Sequence, residues 1–183
     1  MFDVIRYRTR LDELVARHLP AFEERFGYPP GENVVVAASP GESAATLEPE
    51  FGPRVPADVG AFFDVIAQVS LPDFWNGYFL GPPSWIAGLH RAREPQTVKT
   101  GAGEQEVLVF GSDGGGTMYA VPLPEGRPVY KLPSGELRDG CYRHPLGTAD
   151  SPPIIADDLE EFLTVLADGL ESHVANGSPG PFS

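Results

Sequence analysis

Residues 106–132 read EVLVFGSDGGGTMYAVPLPEGRPVYKL. Three short runs rich in β-branched and aromatic residues are separated by clusters of turn formers. Glu106 to Phe110 predicts one strand, Thr117 to Leu123 a second and Arg127 to Leu132 a third. Gly111-Ser112-Asp113-Gly114-Gly115-Gly116 lies between the first two, Pro124-Glu125-Gly126 between the next two, and Pro133-Ser134-Gly135-Glu136 follows. Connections this short join antiparallel neighbours, because a parallel crossover needs a dozen or more residues. The stretch is therefore an antiparallel meander. The glycine cluster has one competing reading. Gly111 and Gly116, followed by Thr117, have the spacing of a phosphate loop. That loop needs a lysine after its second glycine and should lead into a helix. Neither condition is met, so the cluster reads as a hairpin turn whose glycines supply positive φ.

Amphipathic segments lie outward from the meander on both sides, which makes the class α+β. Leu11, Leu14, Val15, Leu19, Phe22 and Phe26 recur at helical spacing, predicting a helix from Thr9 to about Phe26. Thr9 with Asp12 is its candidate capping pair, Pro20 a kink, and Gly27 with Pro29-Pro30 its end. Val34 to Ala38 reads as a strand. Ala44 to Phe51 reads as a short helix closed by Gly52-Pro53. Pro56 and Asp58 open a further helix, with Val59, Phe62, Phe63 and Ile66 on one face, expected to run to Pro72. Asp73 to Gly88 is an aromatic, glycine-rich stretch with an Asn76-Gly77 turn. Glu94 to Gly103 and Asp139 to Pro153 read as loops. The last helix opens with Asp157 as cap and Glu160 three residues on. It carries Leu159, Phe162, Leu163, Leu166 and Leu170 on one face, and residues after Asn176 read as a disordered tail.

Composition bounds what such a chain can do. Its 183 residues suffice for one core without staples. With a single cysteine, Cys141, no internal disulfide can form, which suits a reducing compartment. No run of about 18 apolar residues exists and the start lacks a secretion signal, so a cytoplasmic location is expected. The net charge of −13 repels phosphate backbones and anionic membranes. The same charge attracts a cationic protein partner, although acidity also simply maintains solubility.

Few residues carry a chemical signal. Cys141 and His144 are three apart, but no further zinc-ligand spacing accompanies them. Asp157, Asp158, Glu160 and Glu161 read as a capped helix start, and Glu48 and Glu50 as solvated carboxylates. No catalytic residue, cofactor site or metal site is expected. Trp75, Tyr78, Phe79 and Trp85 are large aromatics in a Gly/Pro-rich region. Such residues either anchor an interface or plug a sheet against a helix.

Several segments together resemble the SUKH superfamily, the group that includes the yeast cell-wall-synthesis regulator and many bacterial toxin-immunity proteins. They are Leu47-Glu48, Phe51-Gly52, Val55-Pro56-Ala57-Asp58, Phe62-Phe63 and Asn76-Gly77. To these are added the strand, Asp-Gly turn and strand of residues 107–121, Pro128-Val129-Tyr130, and the helix from Ile155 to Leu163. The resemblance divides the chain into an N-terminal helix and strand extension over 1–43, a SUKH-like domain over 44–171 and a flexible tail over 172–183. It implies an α+β fold with a bent, mostly antiparallel sheet and helices packed against it. It also implies a binding role without catalysis, most often neutralisation of a toxin such as a nuclease. A nuclease presents a cationic face that an acidic blocker can occupy. The expected contacts are an exposed sheet face and loops carrying Trp75, Tyr78, Trp85 and Asp113. A regulatory scaffold for an endogenous partner and a hydrolase built on Cys141 or a Ser–His–Asp set are the alternative expectations.

Overall fold

The computed structural model describes residues 2–145 and 151–182. Helix α1 (Val4–His18) starts at Asp3, whose carboxylate accepts from the Arg6 N–H at 2.9 Å. The cap is thus Asp3 rather than Thr9. The apolar spacing begins one turn earlier than expected, at Tyr7, which is buried with Leu11, Leu14 and His18. Pro20 breaks the helix into a 3₁₀ turn (Leu19–Ala21) followed by α2 (Phe22–Phe26), as its missing donor requires. Gly27 closes α2 at φ 80°. β1 (Val34–Ala37) follows. A 3₁₀ turn (Ala44–Leu47) then runs into α3 (Glu48–Phe51).

The next helix is shorter than its spacing predicts. α4 (Ala57–Phe63) stops at Phe63, and β2 (Ile66–Leu71) takes the residues expected to extend it to Pro72. Val65, Ile66 and Val69 are β-branched and favour the pleated strand. Ala67, Val69 and Leu71 are buried between half-buried Gln68 and Ser70, the alternation of a strand. The aromatic stretch contains β3 (Tyr78–Leu80) and then α5 (Pro83–Ala92), a helix the sequence reading does not contain. Pro83 occupies its first turn, where no N–H donor is needed. β4 (Thr97–Thr100) occupies the segment read as an exposed loop.

The meander forms as β5 (Gly103–Asp113), β6 (Met118–Pro122) and β7 (Val129–Leu132). Two short strands follow, β8 (Glu136–Arg138) and β9 (Cys141–Arg143), which pair with each other and not with β7; β9 falls in the expected 139–153 loop, of which residues 146–150 lie outside the described residues. β10 (Ile154–Ala156) leads into α6 (Leu159–Asn176). Among the described residues, ten strands join one open sheet that is antiparallel except where β4 meets β9. The eleven-residue β5 is its axis. Residues 103–106 pair with β4, residues 107–112 with β6, and residues 111–113 with β3. The sheet divides there into two arms. β3-β2-β1 and β6-β7-β10 flank the end of β5, and β4-β9-β8 leave from its beginning. A bulge between Val109 and Gly111 marks the bend.

Alternation along β5 fills both faces. Leu108 and Phe110 enter the larger core beneath α1, α4 and α6, whereas Val107 and Val109 join Val98, Leu132 and Tyr142 in a second, smaller one. Trp85 and Leu89 of α5 cover that second cluster. Both faces of β5 are therefore covered, whereas Val36 of β1, Leu137 of β8 and Ile154 of β10 remain exposed. The N-terminal 43 residues pack onto the core: α1 lies along α6, and β1 forms the sheet edge beside β2.

The cap of α6 sits one residue later than expected. Asp158 accepts from the Glu161 N–H at 2.9 Å, and the Glu161 carboxylate accepts from the Asp157 N–H at 2.6 Å. Replacing Asp158 by alanine is expected to lower the unfolding free energy by about 1 kcal/mol. Asp157→Ala should stay within about 0.5 kcal/mol of wild type. Urea denaturation midpoints compare the two.

Candidate functional site

Three of the four residues singled out by sequence lie together at one end of the sheet. β3 pairs with β5 so that Tyr78 faces Asp113. Asp113 organises the glycine turn: one carboxylate oxygen accepts from the N–H groups of Gly115 and Thr117, both at 2.9 Å. Only Gly116 of the triplet has positive φ, at 83°. Gly114 and Gly115 are glycine for a different reason. The turn is pressed onto the Asn76-Gly77 turn, with the Gly114 N–H donating to Gly77 O at 3.2 Å. A Cβ on Gly114 would fall on the Asn76 carbonyl oxygen, and one on Gly115 would meet Asn76 Nδ2 at 2.6 Å.

Trp75 precedes that double turn and is 49% exposed, with φ at 58°. A bulky L-residue at positive φ is a genuine conformational outlier. The ring is edge-on to His173 of α6 at 6.1 Å. His173 neighbours His18 of α1 at 5.8 Å, and His18 neighbours Phe26 at 6.3 Å. Phe26 stands 4.5 Å from Phe22, which is 5.3 Å from Tyr28. A continuous aromatic path thus joins Trp75 to Tyr28, and Trp75, Phe26 and Tyr28 are its exposed members. The sequence reading singles out Trp75, places Phe26 only on the apolar face of a helix and passes over Tyr28, because the ends of α1 and α6 bring them together only in the fold.

His18 holds the middle of this path. It is buried between Phe22 and Phe74, and its Nε2–H donates to Asp73 O at 3.1 Å. The Asp73 carboxylate in turn accepts from Gly31 N–H at 2.7 Å and Asn33 Nδ2 at 2.5 Å, fixing the approach to β1. Burial pushes the His18 pKa below the ordinary histidine range, only partly opposed by the Asp73 carbonyl. The folded state then binds this proton less readily than the unfolded state. The His18 contribution is complete above about pH 6.5. It begins to fall as pH drops below that value and is lost below the depressed folded value. Thermal midpoints should therefore decline as pH falls below about 6.5, and His18→Gln should flatten that slope.

The other sequence candidates are internal. Tyr78 is buried, and its hydroxyl donates to Pro181 O at 2.7 Å. Burial raises the pKa of that phenol, with Asp113 adding to the effect. Trp85 lies on α5, half-buried between the two cores and away from the Trp75 path. Cys141 is buried, and its thiol lies 3.7 Å from Tyr142 O. His144 Nδ1 lies 3.4 Å from the Tyr142 hydroxyl.

A second polar cluster was not legible in the sequence. Glu50, read as a solvated carboxylate, is largely enclosed and meets His90 Nδ1 at 2.7 Å. Glu106 of β5 lies 3.7 Å from His90 Nε2 and is ion-paired with Arg54. The Phe51 and His90 rings are 4.6 Å apart. These contacts clamp α3 and α5 onto the start of β5.

Among the described residues, no helix is long and apolar enough to cross a membrane. No family model matches the chain, and neither does any curated protein.

Proposed function

We propose that the chain is a protein-binding domain of the immunity type, which neutralises a bacterial toxin in the cytoplasm by covering it. Exposed Trp75, held at positive φ, carries this reading. Strained backbone persists only where the surroundings over-determine it, and such positions cluster at functional surfaces. Trp, Tyr and Phe are also the residues that most often anchor an interface, and Phe26 and Tyr28 extend the patch.

The overall charge of −13 supports a cationic partner, such as the nucleic-acid-binding face of a nuclease. The resemblance of residues 44–170 to SUKH proteins points the same way. On this reading the chain performs no catalysis and needs no cofactor or metal. Nucleic acid and membrane are not its partners.

Co-expression with a candidate nuclease toxin, taken from the genes beside the one for this chain where such a toxin is encoded there, tests the proposal. Cells making both should grow and yield a complex, and cells in which the chain carries Trp75→Ala should lose most of that protection. Wild-type chain that neither protects nor forms a complex removes the immunity reading.

A further inference from the structure

Residues 178–182, Ser-Pro-Gly-Pro-Phe, fold back across the end of the sheet and fill a slot. The Phe182 ring stacks on Phe162 of α6 with centroids 4.8 Å apart and planes 3° from parallel. It also lies 5.8 Å from the Tyr119 ring of β6. Three side chains of the slot bond the main chain of the segment. The buried Tyr78 hydroxyl donates to Pro181 O at 2.7 Å, and the Lys131 ammonium donates to Phe182 O. His173 Nδ1 lies 2.9 Å from Ser178 O. The segment that composition reads as a flexible tail is thus seated like a ligand, with Ser183 outside the described residues.

Two glycines show that the fit is close. Gly169 lies in the interior of α6, where glycine is disfavoured relative to alanine. A Cβ there would stand 2.6 Å from Pro181 Cβ and Cδ. Gly180 is buried, and a Cβ on it would collide with the Tyr78 hydroxyl and stand 2.5 Å from Trp75 Cδ1. The backbone of the segment therefore passes through gaps that admit no side chain at either position.

We propose that this slot is a peptide-binding site, held in cis by residues 178–182 and able to take a Gly-Pro-aromatic segment of a partner protein in trans. Its polar groups contact backbone carbonyls, and its apolar walls read one proline and one aromatic ring. Any chain with that short pattern therefore satisfies it. The tethered segment competes at an effective concentration in roughly the millimolar range, so the wild-type slot is mostly closed to partners. This site goes beyond the toxin reading and stands if Trp75 meets no toxin.

The probe is a fluorescein-labelled, amidated peptide of sequence Asn-Gly-Ser-Pro-Gly-Pro-Phe, titrated by fluorescence anisotropy into the full chain. Phe182→Ala removes the anchor in cis and should bind the peptide at least about tenfold more tightly than wild type. Adding Gly169→Ala to that variant narrows the proline position while favouring the helix. It should reverse the gain, and the peptide with Ala in place of Phe should not bind. If Phe182→Ala loses its near-ultraviolet circular dichroism, Gly180→Ala serves as the dislodging variant, because its Cβ cannot fit beside Tyr78 and Trp75. The proposal is overturned if a folded, dislodged variant ignores the peptide at millimolar concentration, or if Gly169→Ala leaves its binding unchanged. A concentration-dependent wild-type dimer that Phe182→Ala abolishes also overturns it, in favour of exchange between copies.

Discussion

Phe162→Ala should lower the unfolding free energy by about 3–5 kcal/mol. Phe162 has no exposed surface and lies where the sheet, α6 and the returning segment meet. Its ring stands edge-on to Phe110 at 5.1 Å, tilted to Tyr119 at 5.0 Å and stacked on Phe182 at 4.8 Å. Truncation removes the transfer energy of the ring and leaves a cavity lined by two strands that cannot close independently, because β5 and β6 are paired from Val107 to Ser112. Domains of this size have about 5–15 kcal/mol in total, so the variant sits near the limit of folding. Val165→Ala, one helical turn away and 37% exposed, should change stability by less than about 1 kcal/mol. Urea denaturation of the pair measures the difference.

Gly114→Ala should cost about 3 kcal/mol, and Gly116→Ala only about 1 kcal/mol. The two glycines are two residues apart in one exposed turn, so a view of the triplet as a flexible loop expects equal, small effects. Their environments differ. Around Gly116 there is open space, and the cost is that of placing a Cβ at φ 83°. At Gly114 the new Cβ would overlap the Asn76 carbonyl, a backbone atom of the neighbouring turn that cannot rotate aside. Relief requires parting the β2–β3 turn from the β5–β6 turn, which moves Trp75 as well. Differential scanning calorimetry of the two variants should therefore rank Gly114→Ala well below Gly116→Ala in melting temperature. Equal melting temperatures would contradict the locked double turn.

The parts of the fold legible in the sequence are those where local pattern and tertiary demand agree. β5, β6 and β7 each carry a short apolar run between turn formers, at 107–110, 118–123 and 129–130, and Leu159 to Leu170 keeps helical period throughout. Legibility fails where two periods overlap. Val59, Phe62, Phe63 and Ile66 fit a helix even though the chain has changed to strand at Ile66, and only the intervening Gln68 and Ser70 betray it. α5 is masked by Gly88 and by an aromatic composition that also suits loops. β8 and β9 are three residues each and carry charge, so neither holds a readable alternation.

The candidate site divides in the same way. Trp75 stands out because an exposed turn seldom carries an indole. Phe26 reads only as one more position on a helical face, and Tyr28 gives no signal, until His18 and His173 connect them to it. Tyr78 and Asp113 were singled out with Trp75 and do lie beside it, but they support the turn and the returning segment from within. The seat of residues 178–182 left one trace in the sequence, the glycine at 169 inside an otherwise well-formed helix. Read locally that glycine is a defect, and only the close approach of Pro181 explains it.

Isothermal titration of a cationic nuclease toxin, the class of partner proposed for the chain, into wild-type chain and into Trp75→Gly tests the account most directly. Glycine relieves the positive φ while removing the indole, and near-ultraviolet circular dichroism checks that both chains are folded. The account predicts an affinity at least about 2 kcal/mol weaker for Trp75→Gly, and wild-type binding that weakens as salt is raised. Equal affinities for the two chains, with both folded, would contradict it.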